Sequence, residues 1–190
     1  MPFSEADQQV LLATARQSIE QAISTRRAMV VDLARYPGAL HDKRASFVTL
    51  KRAGELRGCM GVIEPLRPVV ADVAHNAYAA GFRDPRFDPL AAWEVPELRI
   101  ELSVLTVPEP LIFTDEADAL RQVRAGVDGL ILADIALRRR GTFLPAVWRS
   151  LPEARDFWAQ LKQKAGLPAE HWSTTMKLWR YTTETILEPE

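Results

Sequence analysis

One cysteine, three histidines and nine glycines in 190 residues leave several common chemistries without their raw material. A lone thiol rules out an intrachain disulfide framework and any multi-thiolate zinc or iron–sulfur centre. No two histidines stand four residues apart and there is no HExxH, so no helical zinc motif is present. The glycines form neither GxGxxG nor GxxxxGK[ST], which removes the usual phosphate-cradling loops. Net charge is nearly absent too. Lys and Arg total 24 against 25 Asp and Glu, giving -1, no field to draw nucleic acid or an anionic membrane. No stretch approaches the roughly 18 consecutive apolar residues of a membrane span. The opening MPFSEADQQV carries acids and glutamines where a secretory leader carries bases. The expectation is a cytoplasmic protein with no metal, no cofactor, no nucleic acid and no membrane partner.

What is present suits an ordinary globular core: 47% hydrophobic and 26% charged residues. Ser4-Glu5-Ala6-Asp7 reads as a helix cap, and Leu11, Leu12, Ala15, Ile19, Ala22 and Ile23 form one apolar face behind it. Tyr36-Pro37-Gly38 opens a loop reaching about residue 44. Residues 46–51 and 56–63 read as two strands turning at Ala53-Gly54. Pro68 then starts a helix over 69–82. Residues 83–90 form a charged loop stiffened by Pro85 and Pro89.

Residues 98–106 alternate as a strand whose inward side is Leu98, Ile100, Leu102 and Val104. A short helix over 115–123, a strand at 130–133, an exposed turn at 138–141, a helix over 153–165 closed by Gly166, and a last strand over 178–187 follow. No strand–helix–strand repeat appears. The pattern predicts an α+β fold: a mostly antiparallel sheet with packed helices, a larger lobe, and a smaller lobe made of the N-terminal helix and parts of 107–150.

The only cysteine lies in Leu56-Arg57-Gly58-Cys59-Met60-Gly61. On an extended strand Arg57, Cys59, Gly61 and Ile63 share a face, so guanidinium and sulfur project side by side. A fixed positive charge there favours thiolate over thiol. Gly58 and Gly61 would admit a ligand or offer unobstructed N–H groups to an anion. The same residues also fit plain packing: a buried cysteine filling space, an arginine paired with a structural acid, and glycines at a bulge or a crowded crossing. A nucleophilic thiol needs a base, and His75, mid-helix after the hairpin, is better placed for that than His41 or His171, which reads as a helix-start residue beside Trp172. In the following loop Arg83, Asp84 and Arg86 would line a groove for an anion, or pair with one another while Phe87 plugs the core.

LRGCMG is similar to the hallmark LRGCIG of the AMMECR domain family, known in microbes as AmmeMemoRadiSam system protein A and in animals through the AMME syndrome candidate gene. FVTLKRAGELRGCMG, NAYAAGFRDPRFDPL, IELSVLTVPEPL, GVDGLIL, TFLPAVW and FWAQLKQKAGLP resemble family blocks in family order, over about residues 5 to 187. Met60 stands where the family has Ile. Gly81 departs from NAxxAAF, and position 75 varies in relatives, which weakens His75 as a shared base. The resemblance implies a single domain over 1–190, an α+β fold with a larger and a smaller lobe, and a cleft near the cysteine. It points at Leu56, Arg57, Gly58, Cys59 and Gly61, then Asn76, Arg83, Asp84, Arg86 and Phe87, then Thr142. It also implies partnership with Memo-like proteins and radical S-adenosylmethionine proteins.

Two functions follow. One is a partner-linked binding or accessory module, for which the five tryptophans offer anchors. The other is a cysteine-dependent enzyme on a small anionic substrate. There Cys59 attacks, Arg57 holds charge, His75 or Asp84 moves protons, and Gly58, Gly61, Asn76, Arg83, Arg86 and Thr142 bind.

Overall fold

The computed structural model describes residues 2–36 and 38–189; Pro37, in the expected Tyr36-Pro37-Gly38 break, lies outside the described residues. The chain divides into two compact units, one running to Leu105 and resuming at Glu184, the other Thr106–Thr183.

The first unit holds α1 (Glu5–Thr25), β1 (Ser46–Arg52), β2 (Glu55–Gly61), α2 (Val69–Phe82) and β3 (Leu98–Leu105), with β8 (Thr183–Leu187) closing its sheet in the order β2-β1-β3-β8. Strand β1 pairs antiparallel with both β2 and β3. The hairpin β1–β2 turns through Ala53 and Gly54, both at positive φ (50 and 83), the backbone a two-residue hairpin with right-handed strand twist requires. Ser4 caps α1 by accepting from Asp7 N–H at 3.1 Å. The apolar face of α1 packs on α2, and α2 lies on β1 and β2. Leu11, Ile19, Val48, Leu50, Val73, Ala77, Ile100 and Leu102 meet in this core, and burial of such side chains, worth about 1.5–3 kcal/mol each, is what holds the layers together.

Polar groups fix the register of these layers. Ser18 Oγ donates to Ala74 O at 2.7 Å, joining the two helices inside the core. Asp72, fully buried on α2, accepts from Ser46 N and Oγ at 2.9 and 2.8 Å and from Asn76 Nδ2 at 2.8 Å. Buried carboxylates survive only when their lone pairs are filled, and this one clamps α2 to the start of β1.

The second unit holds β4 (Glu109–Leu111), α3 (Glu116–Gln122), β5 (Gly129–Asp134), β6 (Arg139–Phe143), α4 (Ala154–Lys164) and β7 (Met176–Tyr181), its antiparallel sheet ordered β4-β7-β5-β6. All six residues of β5 are buried. Helix α4 packs on β6, with Phe157 stacked on Trp148 at 3.8 Å between ring centroids.

The α+β class and antiparallel pairing are as the sequence predicts, with four differences. There are two four-stranded sheets, not one principal sheet. The expected strand over 178–187 is two strands interrupted at Thr182, β7 in one sheet and β8 in the other. And α1 falls with the first unit, not with 107–150, because its apolar face is satisfied by α2. The exposed turn expected at 138–141 also lies slightly earlier: Arg138 takes φ 52, and β6 begins at Arg139. Among the described residues no helix is long and apolar enough to cross a membrane.

Candidate functional site

The cysteine strand β2 is an edge strand. Its alternation is broken where Leu50 pairs with Gly58 but Lys51 pairs with Leu56, so Arg57 is the bulged residue. Gly58 faces inward: a Cβ there would fall on the carbonyl oxygen of Ala80 in α2. A Cβ at Gly61 would strike the Phe47 ring and Ser46 O. Both glycines are therefore close-approach positions between protein segments, the crowded-crossing alternative.

Cys59 is half-buried, and its sulfur accepts from Thr49 Oγ1 at 3.2 Å across the hairpin. Its backbone is held from the other side. An edge strand presents unpaired N–H and C=O groups, and here the 83–87 turn covers them: Cys59 N–H donates to Asp84 Oδ2 at 2.8 Å, and Arg86 Nη2 approaches Cys59 O at 3.4 Å. Asp84, only 4% exposed, also accepts from Arg86 N, Nε and Nη2 at 3.1, 2.9 and 2.7 Å. The Arg86 guanidinium is the main reason the Asp84 carboxyl sits well below the ordinary carboxylate range, with the two backbone N–H groups adding to it against the cost of burial.

Arg57 does not turn its charge toward the thiol. Its Nε and Nη2 grip Glu94 Oε1 and Oε2 at 2.7 and 2.9 Å, and Nη2 also reaches Asp88 O at 3.0 Å. Glu94 is held ionised by that fork first, then by the Ala91 N–H, against a cost of burial. The remaining Nη1 is buried with no acceptor among the described residues. Arg57 and Arg86 both lie against the Phe87 ring, 5.8 and 5.5 Å from its centroid. The turn thus does border both residues of the motif, as a clasp whose charges are internally matched.

The other candidates are dispersed. Asn76 braces Ser46 and Asp72 and is 2% exposed. His75 stands near Arg67 and Asp72, its pKa lowered by burial and then by Arg67, and none of its hydrogen bonds reaches Cys59 among the described residues. Arg83 leaves Asp84 and Arg86 and donates from Nε to Tyr78 OH at 3.1 Å. Thr142 belongs to the second unit, where its hydroxyl donates to Leu130 O at 2.8 Å and meets Tyr181 OH at 3.1 Å. Burial pushes the Tyr181 phenol up to about 12, with that contact opposing it.

Sequence reasoning missed Thr49 and Glu94, the groups that meet the sulfur and the guanidinium. It also missed a cluster in the second unit. Asp134, 1% exposed, accepts from Thr175 Oγ1 and Leu137 N at 2.8 and 3.1 Å, and its Oδ2 meets Ser173 Oγ at 2.7 Å and His171 Nε2 at 2.8 Å. His171 is thus a loop residue, not a helix start. The run His171-Trp172-Ser173-Thr174-Thr175, three alternate donors in a row, was the available signal. Among the described residues no three His, Cys, Asp or Glu side chains gather as a metal site.

An α+β chain with an edge-strand cysteine clasped by a charged turn is the class these features define. The AMMECR1 family model matches residues 12–186. A protein of Methanothermobacter thermautotrophicus is 36% identical over 176 residues, covering 89% of this chain and 87% of that one. A Methanocaldococcus jannaschii protein is 32% identical over 184 residues, covering 93% and 87%. The crystal structure of an uncharacterized protein from Pyrococcus horikoshii superposes with a TM-score of 0.80 at 32% identity, covering 92% of this chain and 88% of that one. The chain belongs to the AMMECR1 family.

Proposed function

We propose that this chain is a cytoplasmic, partner-linked binding or accessory module, working as one AMMECR-type domain with Memo-like and radical S-adenosylmethionine proteins. One observation carries the reading. The charges of the cysteine motif are matched internally, while Trp93, the residue beside Glu94, stands 62% exposed with the Arg52 guanidinium 4.5 Å from its ring centroid. Tryptophan and arginine are both among the residues enriched at interface hot spots. The Arg57–Glu94 fork makes the cysteine strand the support on which that tryptophan is mounted. A cysteine-based enzyme acting on a small anion needs a charge left over near the thiol and a base within reach, and the pairing of Arg57 and the placement of His75 weigh against it.

The test is calorimetric titration of purified Memo-like and radical S-adenosylmethionine proteins from the same organism into this chain. Binding that weakens about thirtyfold in Trp93→Ala, the size of a hot-spot loss of about 2 kcal/mol, supports the module. Absence of binding to either protein, or full affinity in Trp93→Ala, overturns it.

A further inference from the structure

Arg26 and Arg83 stand at the C-caps where α1 and α2 end. Tyr78 and Phe82, one turn apart on α2, stack with ring centroids 5.6 Å apart and planes at 19°. Arg26 lies 5.5 Å from the Phe82 centroid and Arg83 lies 5.8 Å from the Tyr78 centroid. Tyr78 OH donates to Arg26 O at 3.0 Å and accepts from Arg83 Nε, so the phenol ties both segments together. These four residues and Pro89 line a cavity of about 460 Å³.

What sets these two arginines apart from Arg27, Arg35 and Arg99, which likewise make no ion pair among the described residues, is that they flank one ring pair. Arg16, Arg52, Arg57, Arg67 and Arg86 of the same unit each meet a carboxylate. Among the described residues, Arg26 and Arg83 make no ion pair, and neither guanidinium donates to the last-turn carbonyls of its helix, so helix capping does not account for them. A guanidinium lying beside a ring keeps in-plane N–H groups for an oxyanion; Arg83 gives its Nε to Tyr78 OH and has its Nη groups left for this. Arg26 moreover occupies a left-handed C-cap (φ 55), a conformation suited to glycine. A side chain there strains the backbone, so its presence asks for a use.

We propose that Arg26, Arg83 and the Tyr78–Phe82 pair form a binding site for a small phosphorylated molecule, independent of the partner-binding reading and unaffected by its failure. Two forks match the two charges of a phosphate monoester. The pocket is open to solvent, with both arginines exposed, which leaves room for the group that bears the phosphate. Two arginines around one ring pair, on a chain of net charge -1, form a pocket and not the extended basic stripe a nucleic-acid strand tracks.

Titration calorimetry with inorganic phosphate and with ribose 5-phosphate tests this on the full chain. Expected is one saturable site that prefers the sugar phosphate and weakens at least about tenfold, or 1.4 kcal/mol, in Arg26→Gly and in Arg83→Ala. Arg26→Gly is the informative variant: it relieves the positive φ, so its melting temperature should equal or exceed that of the wild type while binding is lost. Arg83→Lys should retain part of the affinity and Arg27→Ala, an exposed neighbouring charge, all of it. No saturable binding of either probe up to about 10 mM, an equal loss in Arg27→Ala, or tighter binding of a single-stranded RNA oligomer than of ribose 5-phosphate would each overturn the site.

Discussion

In the first unit a turn is fastened to the sheet by Asp84; in the second a segment is fastened by Asp134, and the two clasps use opposite kinds of donor. Asp84 binds a guanidinium that cannot lose its charge, plus two backbone N–H groups. Asp134 binds two hydroxyls, one imidazole and one N–H, all from residues 137 and 171–175. Both carboxyls are held below their ordinary range, Asp84 chiefly by Arg86 and Asp134 chiefly by His171 and then Ser173. The first clasp closes over the strand that carries Cys59 and has an arginine half in solvent. In the second the Asp134 carboxylate is itself buried while its side-chain donors are half-buried, and Ser173 and Thr175 also meet each other at 2.9 Å. What is lost on cutting each should therefore differ.

Asp134→Ala carries the largest expected effect. It removes the shared acceptor of four hydrogen bonds and empties the place of a buried carboxyl, whereas Asp84→Asn keeps the side chain's volume and one acceptor oxygen. The melting temperature should fall by about 10 °C, with hydrogen-exchange protection lost first in β5 and β7. Asp84→Asn should cost about 4 °C, because the Arg86 side chain is 54% exposed and rehydrates when released. Its exchange signature should sit in β2, at Cys59 N–H. Equal losses in the two variants would erase the contrast between the two clasps.

Much of this was legible in the residues. The helix expected over 69–82 is α2 residue for residue, since Pro68 and the valine–alanine face mark both its start and its buried side. The hairpin at Ala53-Gly54 was equally plain. The change of sheet at Thr182 was not, because the run of aromatic and β-branched residues continues through Tyr181-Thr182-Thr183 and says nothing of which sheet a strand joins. Nor was the bulge at Arg57: strict alternation puts its guanidinium beside the sulfur, and one extra residue re-aims it to Glu94, 37 positions away. Arg83 and Arg86, three apart in one loop, read as a joint groove, yet one serves Asp84 and the other Tyr78. Charge in a sequence shows how many ions there are; only the fold shows which are already paired.

Acid should narrow the gap between wild type and Asp84→Asn. A carboxyl whose folded pKa is depressed stabilises the fold fully above its unfolded value of about 3.9 and loses that contribution as pH falls toward the folded value. Urea midpoints measured from pH 7 down to about pH 3 should therefore converge below about pH 4. Asp72 has the opposite sign: burial raises its pKa, so protonation favours the folded state as pH falls, and Asp72→Asn should lose least relative to wild type at neutral pH. A constant Asp84→Asn gap across the range would mean that its ionisation is not what holds the turn.

The smallest expected change is at the residue that first drew notice. Cys59 holds its place through its backbone, which Asp84 and Arg86 grip whatever the side chain. Cys59→Ser keeps an acceptor for Thr49, so its melting temperature should stay within about 2 °C of wild type and its affinity for protein partners should be unchanged. Because Cys59 is only half-buried, iodoacetamide should modify it in the folded chain, faster than global unfolding allows. If modification waits for unfolding, the thiol is packing material alone. If Cys59→Ser abolishes partner binding that Trp93→Ala leaves intact, the roles assigned to cysteine and tryptophan are reversed, and the edge strand itself, not the residue mounted beside it, is the contact.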